Sequence, residues 1–326
     1  MKWYVVKRVG WTVVASYLTL SAMFVLLVMS PNPGMMQATM SCAAVGEDPD
    51  QCRENFKEQH GLDQPVTERY VNYMVNMVTL NWGWSHSRTQ YVMAAIGEAW
   101  PYSAQYGIPT LILSTLIGYG IGIYSAYKQY SLADYGGAFV SFVGISIPNF
   151  WFALVLILLL SVWLNLFPVY YESLIPVEQG WLSMANLEQL VLPTIVLTSS
   201  SLAFQMRYTR SQMLEQMNKE FVKVAKAKGA SDYQMLIWHV LRMAAVPLAT
   251  SFVGVLIGVL WTGGIIIEQI FSIPGIGLMT YQAIIQQDTP LVLATVLIPT
   301  FIAILGNLFE DLAQIWLDPR IDYGNR

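Results

Sequence analysis

Charge is scarce in this chain. Only 12% of its 326 residues are Asp, Glu, Lys or Arg, against the roughly 25% of a soluble domain. There is no basic surplus either: 17 Lys+Arg stand against 21 Asp+Glu, for a formal net charge of −4. That balance excludes a nucleic-acid surface of the usual basic kind. Two cysteines are too few for a disulfide scaffold or a four-cysteine zinc site. No glycine precedes any lysine, so the G-x-x-x-x-G-K-[ST] loop that cradles a nucleotide is missing. The three histidines, His60, His86 and His239, have no catalytic partner at recognisable spacing and read as surface residues. What is plentiful is apolar: 55% of the residues, with a mean hydropathy of +0.47. These proportions describe an integral membrane protein.

Charges are costly in hydrocarbon, so the gaps between them locate the spans. Six charge-free runs stand out, at 9–46, 99–127, 135–171, 189–206, 243–267 and 289–309. A spanning helix needs about 20 mostly apolar residues, which predicts spans near 9–29, 103–127, 137–163, 189–207, 245–267 and 290–312. Two other charge-poor stretches are set aside. Residues 70–87 carry Asn72, Asn76, Asn81 and Gly83 and read as an amphipathic segment, whereas 269–287 carry Ser272, Pro274, Gly275 and Gly277, the chemistry of turns.

Six spans put both termini on one side, and the basic residues choose it. With the termini cytoplasmic, the inner segments hold Lys2, Lys7, Arg8, Lys128, Arg207, Arg210, Lys219, Lys223, Lys226, Lys228, Arg242, Arg320 and Arg326. The remaining Arg53, Lys57, Arg69 and Arg88 all fall in the long 30–99 loop, where the positive-inside rule is weak. The first apolar run is about 21 residues, longer than the ~7–15 of a signal peptide, and no A-x-A site follows. An uncleaved first span is expected.

None of the six runs contains Asp, Glu, Lys, Arg or His. A proton-coupled pump needs ionisable groups at depth, so the energy for any transport is expected to come from elsewhere. Gly118 with Gly122, and Gly254 with Gly258, form GxxxG pairs of the kind that let membrane helices approach closely.

The stretch 208–244 is the most informative. Met213, Met217, Phe221 and Val224 fall on one helical face with Lys219, Lys223 and Lys226 opposite. Glu215 precedes Lys219 by four residues, a favourable pair. The helix is predicted to stop at Gly229, suited to the left-handed position after a helix. Ser231 and Gln234 then make a capping-box start for a second helix through Leu236, Ile237, Val240 and Leu241 to Pro247. Spacing alone leaves two readings open: a basic loop obeying the positive-inside rule, or a docking element whose turn enters a groove on a partner.

At this point a resemblance becomes specific. Glu220–Leu248, EFVKVAKAKGASDYQMLIWHVLRMAAVPL, resembles the EAA loop of binding-protein-dependent ABC import permeases, most of all the dipeptide/oligopeptide/nickel branch. Lys223 replaces the family's Glu and Arg242 its Pro, whereas Ala225, Gly229 and Leu241 match. The departures at Lys223 and Arg242 are usual for the peptide branch. Further similar stretches lie at Pro109–Asp134, Gly144–Leu159, Leu192–Leu197 and Glu268–Gly277 (EQIFSIPGIG), with a tail at Leu317–Gly324. The 30–99 loop matches at Gly61–Met74 and at Asn81–Ser85 (NWGWS).

The resemblance implies an all-α membrane protein with six transmembrane helices of the type I ABC importer permease kind. It places an extracellular cap between helices 1 and 2 and a cytoplasmic coupling loop between helices 4 and 5. The chain divides accordingly into 1–29, the cap 30–99 and a core 100–326 that includes the loop 208–244. The implied function is one half of the path by which peptides enter the cell, in a prokaryotic plasma membrane. Nickel chelates or oligosaccharides are alternative cargoes, and a stand-alone secondary transporter is the alternative class. The implied partners are a second permease, two cytoplasmic ATPase subunits, an external binding protein and membrane lipid. ATP and magnesium would sit in the ATPases, with no cofactor or metal on this chain and no catalytic residue. The coupling turn would be Ala225, Lys226, Ala227, Lys228, Gly229, Ala230, Ser231 and Asp232.

Two expectations concern the 30–99 loop. It holds Tyr70, Met74, Met77 and Val78 at helical spacing, which suits a folded cap; a solvated loop is the alternative. Cys42 and Cys52 both fall outside, where disulfides persist. A bond between them would close a short loop and add ~2–3 kcal/mol locally, with two free thiols as the alternative. Ser141, Ser146, Asn149, Gln205 and Trp261 are either path-lining or packing residues, and sequence does not choose between these.

Overall fold

The computed structural model describes residues 2–260 and 264–317. Trp261 and the tail 318–326, with Arg320 and Arg326, lie outside the described residues. The elements in order are α1 (Lys2–Met29), α2 (Pro33–Val45), α3 (Pro49–Gln59), α4 (Val66–Val78), β1 (Trp84–Ser85), β2 (Gln90–Tyr91) and α5 (Val92–Tyr127). There follow α6 (Leu132–Ser146), α7 (Asn149–Leu156, wound on as a π-helix to Trp163), α8 (Leu174–Gln179), α9 (Met184–Met217) and α10 (Glu220–Ala227). The last are α11 (Asp232–Gln234, passing through a π-helix Met235–Leu241), α12 (Arg242–Leu260), α13 (Ile265–Phe271), α14 (Ile276–Ile285) and α15 (Thr289–Leu317).

Five helices are long and apolar enough to cross a bilayer, and α6 with α7 makes a sixth candidate as a pair bent by 98°. The span expected at 137–163 is this bent pair. Pro148 has no N–H to give, and it forces Ile147 into an extended conformation, φ −85° and ψ 122°. The fourth span also runs further than its apolar core, as α9 from Met184 to Met217. Likewise α5 begins at Val92 rather than near 103, because Val92, Ala95, Ile96 and Ala99 are buried and extend its packed face. Pro101 and Pro109 inside α5 and Pro193 inside α9 are tolerated, as they are in membrane helices.

The chain forms two compact units. One joins Lys2–Glu98 to Met279–Leu305, so the first span and the cap share a unit with a segment from the C-terminal third. In it α4 docks on α1. Phe24 is buried, with the Tyr70 ring edge-on at 5.1 Å and Tyr73 at 5.4 Å. Ser21 and Tyr70 share a 2.7 Å hydrogen bond. Tyr70, Met74 and Met77 turn inward, whereas Val78 is exposed, against its expected place on the packed face. The helix ends there, so the position has nothing left to pack on. Helices α2 and α3 start on Asn32 and Asp48 side-chain caps, each followed by proline. Cys42 and Cys52 are bonded between these helices, with Cα atoms 6.5 Å apart.

The other unit holds Ala99–Leu278 and, among the described residues, 306–317. Its apolar core has two centres. One gathers Tyr106, Tyr171, Leu190, Val196, Ile267, Phe271 and Ile273; the other gathers Ala126, Met213, Val222, Met235, Leu236, Val240 and Leu248. The first GxxxG pair serves its expected purpose: a Cβ at Gly122 would stand 2.7 Å from Thr209 Cβ and 2.8 Å from the Met206 carbonyl, so α5 and α9 nearly touch there. Gly254 and Gly258 have open space beside them and make no such approach.

Candidate functional site

The loop between the fourth and fifth spans is built from rigid parts. The single helix expected across Met213–Val224 is broken: α9 ends at Met217, and Lys219 is extended before α10 restarts. The break resets the helical phase. Met213, Val222 and Ala225 are buried, but Val224 is exposed. At the end of α10, Gly229 N–H donates to the Lys226 carbonyl and Ala230 N–H to that of Ala225, and Gly229 has φ +85°. This is the doubly bonded glycine stop that the sequence predicts. One residue on, Ser231 and Gln234 cap each other reciprocally, with both bonds of the capping box present. Helix then continues from Asp232 without interruption into the fifth span.

Exposure divides this loop sharply. Lys226, Ala227, Lys228, Gly229, Ser231 and Asp232 are exposed and Ala230 half-buried, whereas Ala225 is turned in. Beneath them Val222, Met235, Leu236 and Val240 pack against Ala126 of α5 and Met213 of α9. Burying these side chains holds the turn up by ~1.5–3 kcal/mol each. Lys223–Glu220 at 2.7 Å and Lys219–Glu215 at 3.3 Å are exposed pairs that add little. A stiff, capped, polar knob on an apolar foot is suited to transmit a push.

At the far end of the fifth span the chain turns around a buried carboxylate. Glu268 Oε1 accepts from Tyr106 Oη at 2.5 Å and Ser103 Oγ at 2.6 Å, and Oε2 accepts from the Leu278 N–H at 2.8 Å. Tyr106 Oη in turn accepts from the Gly264 N–H, and Ser103 Oγ from the Ile276 N–H. One side chain thus ties α5 to both ends of the turn 272–278. Burial pushes the Glu268 carboxyl above its ordinary value, against the pull of these donors. A Cβ on Gly275 would overlap the Glu268 carboxylate and the Ser103 hydroxyl, and one on Gly277 would stand 2.8 Å from Ile265 Cα. The glycines of IPGIG leave room for the acid.

The sequence of residues 118–323 matches the family model described as the binding-protein-dependent transport system inner membrane component. That match covers more than half of the chain. The chain belongs to this family. Among its curated relatives is the oligopeptide transport system permease protein AppB of Bacillus subtilis, 36% identical over 83% of this chain and 85% of that protein. The dipeptide transport system permease protein DppB of Lactococcus lactis is 32% identical over 98% of both chains. The peptidoglycan transport system permease protein YejB of Agrobacterium fabrum is 30% identical over 87% of this chain and 79% of its own.

Within this permease four of the five path-or-packing residues separate, Trp261 lying outside the described residues. Ser141 is fully buried and donates to the Met206 sulfur. Gln205 is fully buried and donates to Ser114 and Thr115. Both are packing residues. Ser146 is exposed, and Asn149 lines a cavity of about 310 Å³ with Ser200, Ser201, Phe204 and Gly258.

Sequence reasoning missed three charged anchors. Glu268 was quoted inside a motif but given no role. Asp134, at the start of α6, takes a two-pronged grip from Arg210 of α9 at 2.6 and 2.8 Å, plus bonds from Ser125 Oγ and the Tyr130 N–H. Asp288 caps α15 and accepts from Ser85 Oγ at 2.6 Å, Ser87 Oγ at 2.7 Å and the Ser87 N–H at 2.9 Å. Burial pushes Asp288 up, but these donors outweigh it and hold the carboxyl below its ordinary value. The bonds also explain NWGWS, whose last serine is the Asp288 ligand. The signal for all three was the same: a lone charge at the edge of a long apolar run.

Among the described residues, Cys42, Glu47 and Cys52 form the group close enough to share a metal ion, and the two sulfurs are bonded to each other.

Proposed function

We propose that this permease is one half of the translocation path of an ATP-driven peptide importer. The names of its relatives support this cargo, since oligopeptide, dipeptide and peptidoglycan carriers share amide-rich substrates. The proposed partners are a second permease, two ATPase subunits holding ATP and magnesium, and an external binding protein that selects the peptide. Lys2, Lys7, Arg8 and the basic 219–228 stretch favour cytoplasmic termini and a cytoplasmic turn.

The observation that carries the reading is the turn 225–232, exposed, doubly capped and seated on the ends of α5 and α9. In this mechanism the turn lies in a groove of an ATPase subunit. Closure of the ATPase pair on ATP draws the two turns together, and the permease halves rock between inward- and outward-facing states. The permease itself hydrolyses nothing.

The test is ATP-driven uptake of a labelled peptide into vesicles holding the whole assembly. Gly229→Asp keeps the left-handed geometry accessible but places a carboxylate on the contact. Uptake is expected to vanish while the permease still inserts and melts normally. Undiminished uptake by Gly229→Asp would overturn the coupling role of the turn. Uptake by the permease alone, without ATPases, would overturn the importer reading.

A further inference from the structure

On the coupling-loop side of the unit that holds Ala99–Leu278, α6 and the lower half of α9 frame a cavity of about 580 Å³ that the transport reading does not use. Its walls are of two kinds. Ala138, Phe142, Met206 and Leu214 form an apolar floor. The rim is polar, with Tyr130, Tyr135, Ser211, Arg207 and the Asp134–Arg210 pair. Asp134 and Arg210 cancel each other through their two-pronged bond. Arg207 is different: it is exposed, and among the described residues it has neither an ion-pair nor a hydrogen-bond partner. The cavity therefore carries one uncompensated positive charge.

Position gives that charge its meaning. Arg207 directly follows the charge-free run 189–206, and Ser211 lies one turn further along the same helix. Both therefore sit where the hydrocarbon gives way to headgroups. Tyr130 and Tyr135 are 72% and 61% exposed, as befits rings placed at that level. Phe142 is 67% exposed, two turns deeper along α6. A zwitterionic headgroup sets its own ammonium against a lone guanidinium and gains less from it than a phosphodiester of net negative charge, which keeps the full ionic hydrogen bond. A soluble phosphate would leave the apolar floor uncovered.

We propose that this cavity binds an anionic phospholipid from the leaflet on the coupling-loop side. Arg207 and Ser211 donate to the phosphate, and one acyl chain lies along Ala138, Met206 and Phe142. The occupied site bridges α6 to the stretch of α9 that runs into the coupling turn. This rests on the bilayer location that the family provides, and not on the identity of the cargo.

Native mass spectrometry of the purified assembly, titrated with phosphatidylglycerol and separately with phosphatidylcholine, tests it. Wild type is expected to retain one phosphatidylglycerol per permease in preference to phosphatidylcholine. Arg207→Gln should lower that retention about fivefold, the worth of one cationic side chain at a membrane surface, and Arg207→Lys should restore most of it. Ala138→Trp fills the cavity without touching a charge, and should exclude the lipid while Arg207 remains. Equal retention by wild type, Arg207→Gln and Ala138→Trp would overturn the site. So would cross-linking of Ser211→Cys to the second permease, because that face would then be covered by protein. Loss of ATP-driven uptake in a variant that still binds lipid would bear on the importer reading alone.

Discussion

Two glycine-centred turns stand at opposite ends of the fifth span, and they use glycine for opposite reasons. Gly229 has open space where a Cβ would stand, with nothing within 4 Å of it, but its φ is +85°. Gly275 and Gly277 have ordinary torsions, but a Cβ on either meets Glu268, Ser103 or the Ile265 backbone. The first glycine is chosen for conformation and the others for room. A turn that needs only a torsion can present its side chains outward to a partner. One that closes on a buried carboxylate has given its surface to the inside of the protein. The difference leaves the first turn's surface open to solvent and makes the second a brace.

The comparison breaks most visibly at Gly275. Gly275→Ala forces a methyl into the Glu268–Ser103 contact, so the turn must open or the carboxylate must leave its donors. Overpacking of this kind, with lost hydrogen bonds, costs ~3 kcal/mol. The melting temperature of the purified permease should fall by roughly 5–10 °C. An unchanged melting curve would mean the turn does not close on the acid.

Glu268→Gln sharpens the same point with less damage. The amide keeps one oxygen for Tyr106 and Ser103 but sets an N–H₂ against the Leu278 N–H. A loss of ~1–3 kcal/mol is expected, smaller than for Gly275→Ala. If the two changes rank the other way, it is the charge of Glu268, and not the closeness of packing, that holds the turn.

The two buried acids should then respond to pH in opposite senses. Glu268 is raised in the folded state, so the folded protein holds its proton longer than the unfolded chain does. Stability therefore falls as pH rises from about 4.5 through the folded value. Asp288 is lowered, so its contribution is present above about 3.8 and is lost as pH falls. Melting curves of wild type and Glu268→Gln should converge as pH rises. Those of wild type and Asp288→Asn should converge as pH falls. Slopes of the same sign for the two variants would show that hydrogen bonding and burial are wrongly apportioned between them.

How much of this was legible beforehand follows from the range of the forces involved. The turn 225–232 was readable almost residue by residue in its local structure, because a glycine stop and a capping box are bonds between near neighbours. The spans were readable from the gaps between charges. The break at Lys219 and the 98° bend after Ser146 were less so, although Pro148 is a local signal for the second. The anchors were readable only as lone charges at the edges of apolar runs, and their partners were not. Glu268 meets Tyr106 and Ser103 across more than 160 residues, and Asp288 meets Ser85 across 203. No periodicity reports a partner that distant. Only the motifs EQIFSIPGIG and NWGWS hinted at them.

The smallest effect belongs to Gly229, and it is the most discriminating. Gly229→Ala strains a left-handed torsion at a cost of ~1 kcal/mol, a melting shift of roughly 2–4 °C. Gly229→Asn should shift it less, because asparagine visits that region readily and nothing stands in its way. If Gly229 is chosen for torsion alone, Gly229→Asn melts nearer to wild type than Gly229→Ala does, although its side chain is larger. If the larger residue is the more damaging, the space around Gly229 is not open and the turn is a second brace. Peptide uptake then separates shape from charge, since Asn and Asp are nearly isosteric. Uptake preserved in Gly229→Asn but lost in Gly229→Asp would place a charge-sensitive partner surface directly over the turn. Equal loss in both would leave no room there for any side chain once the partner is bound.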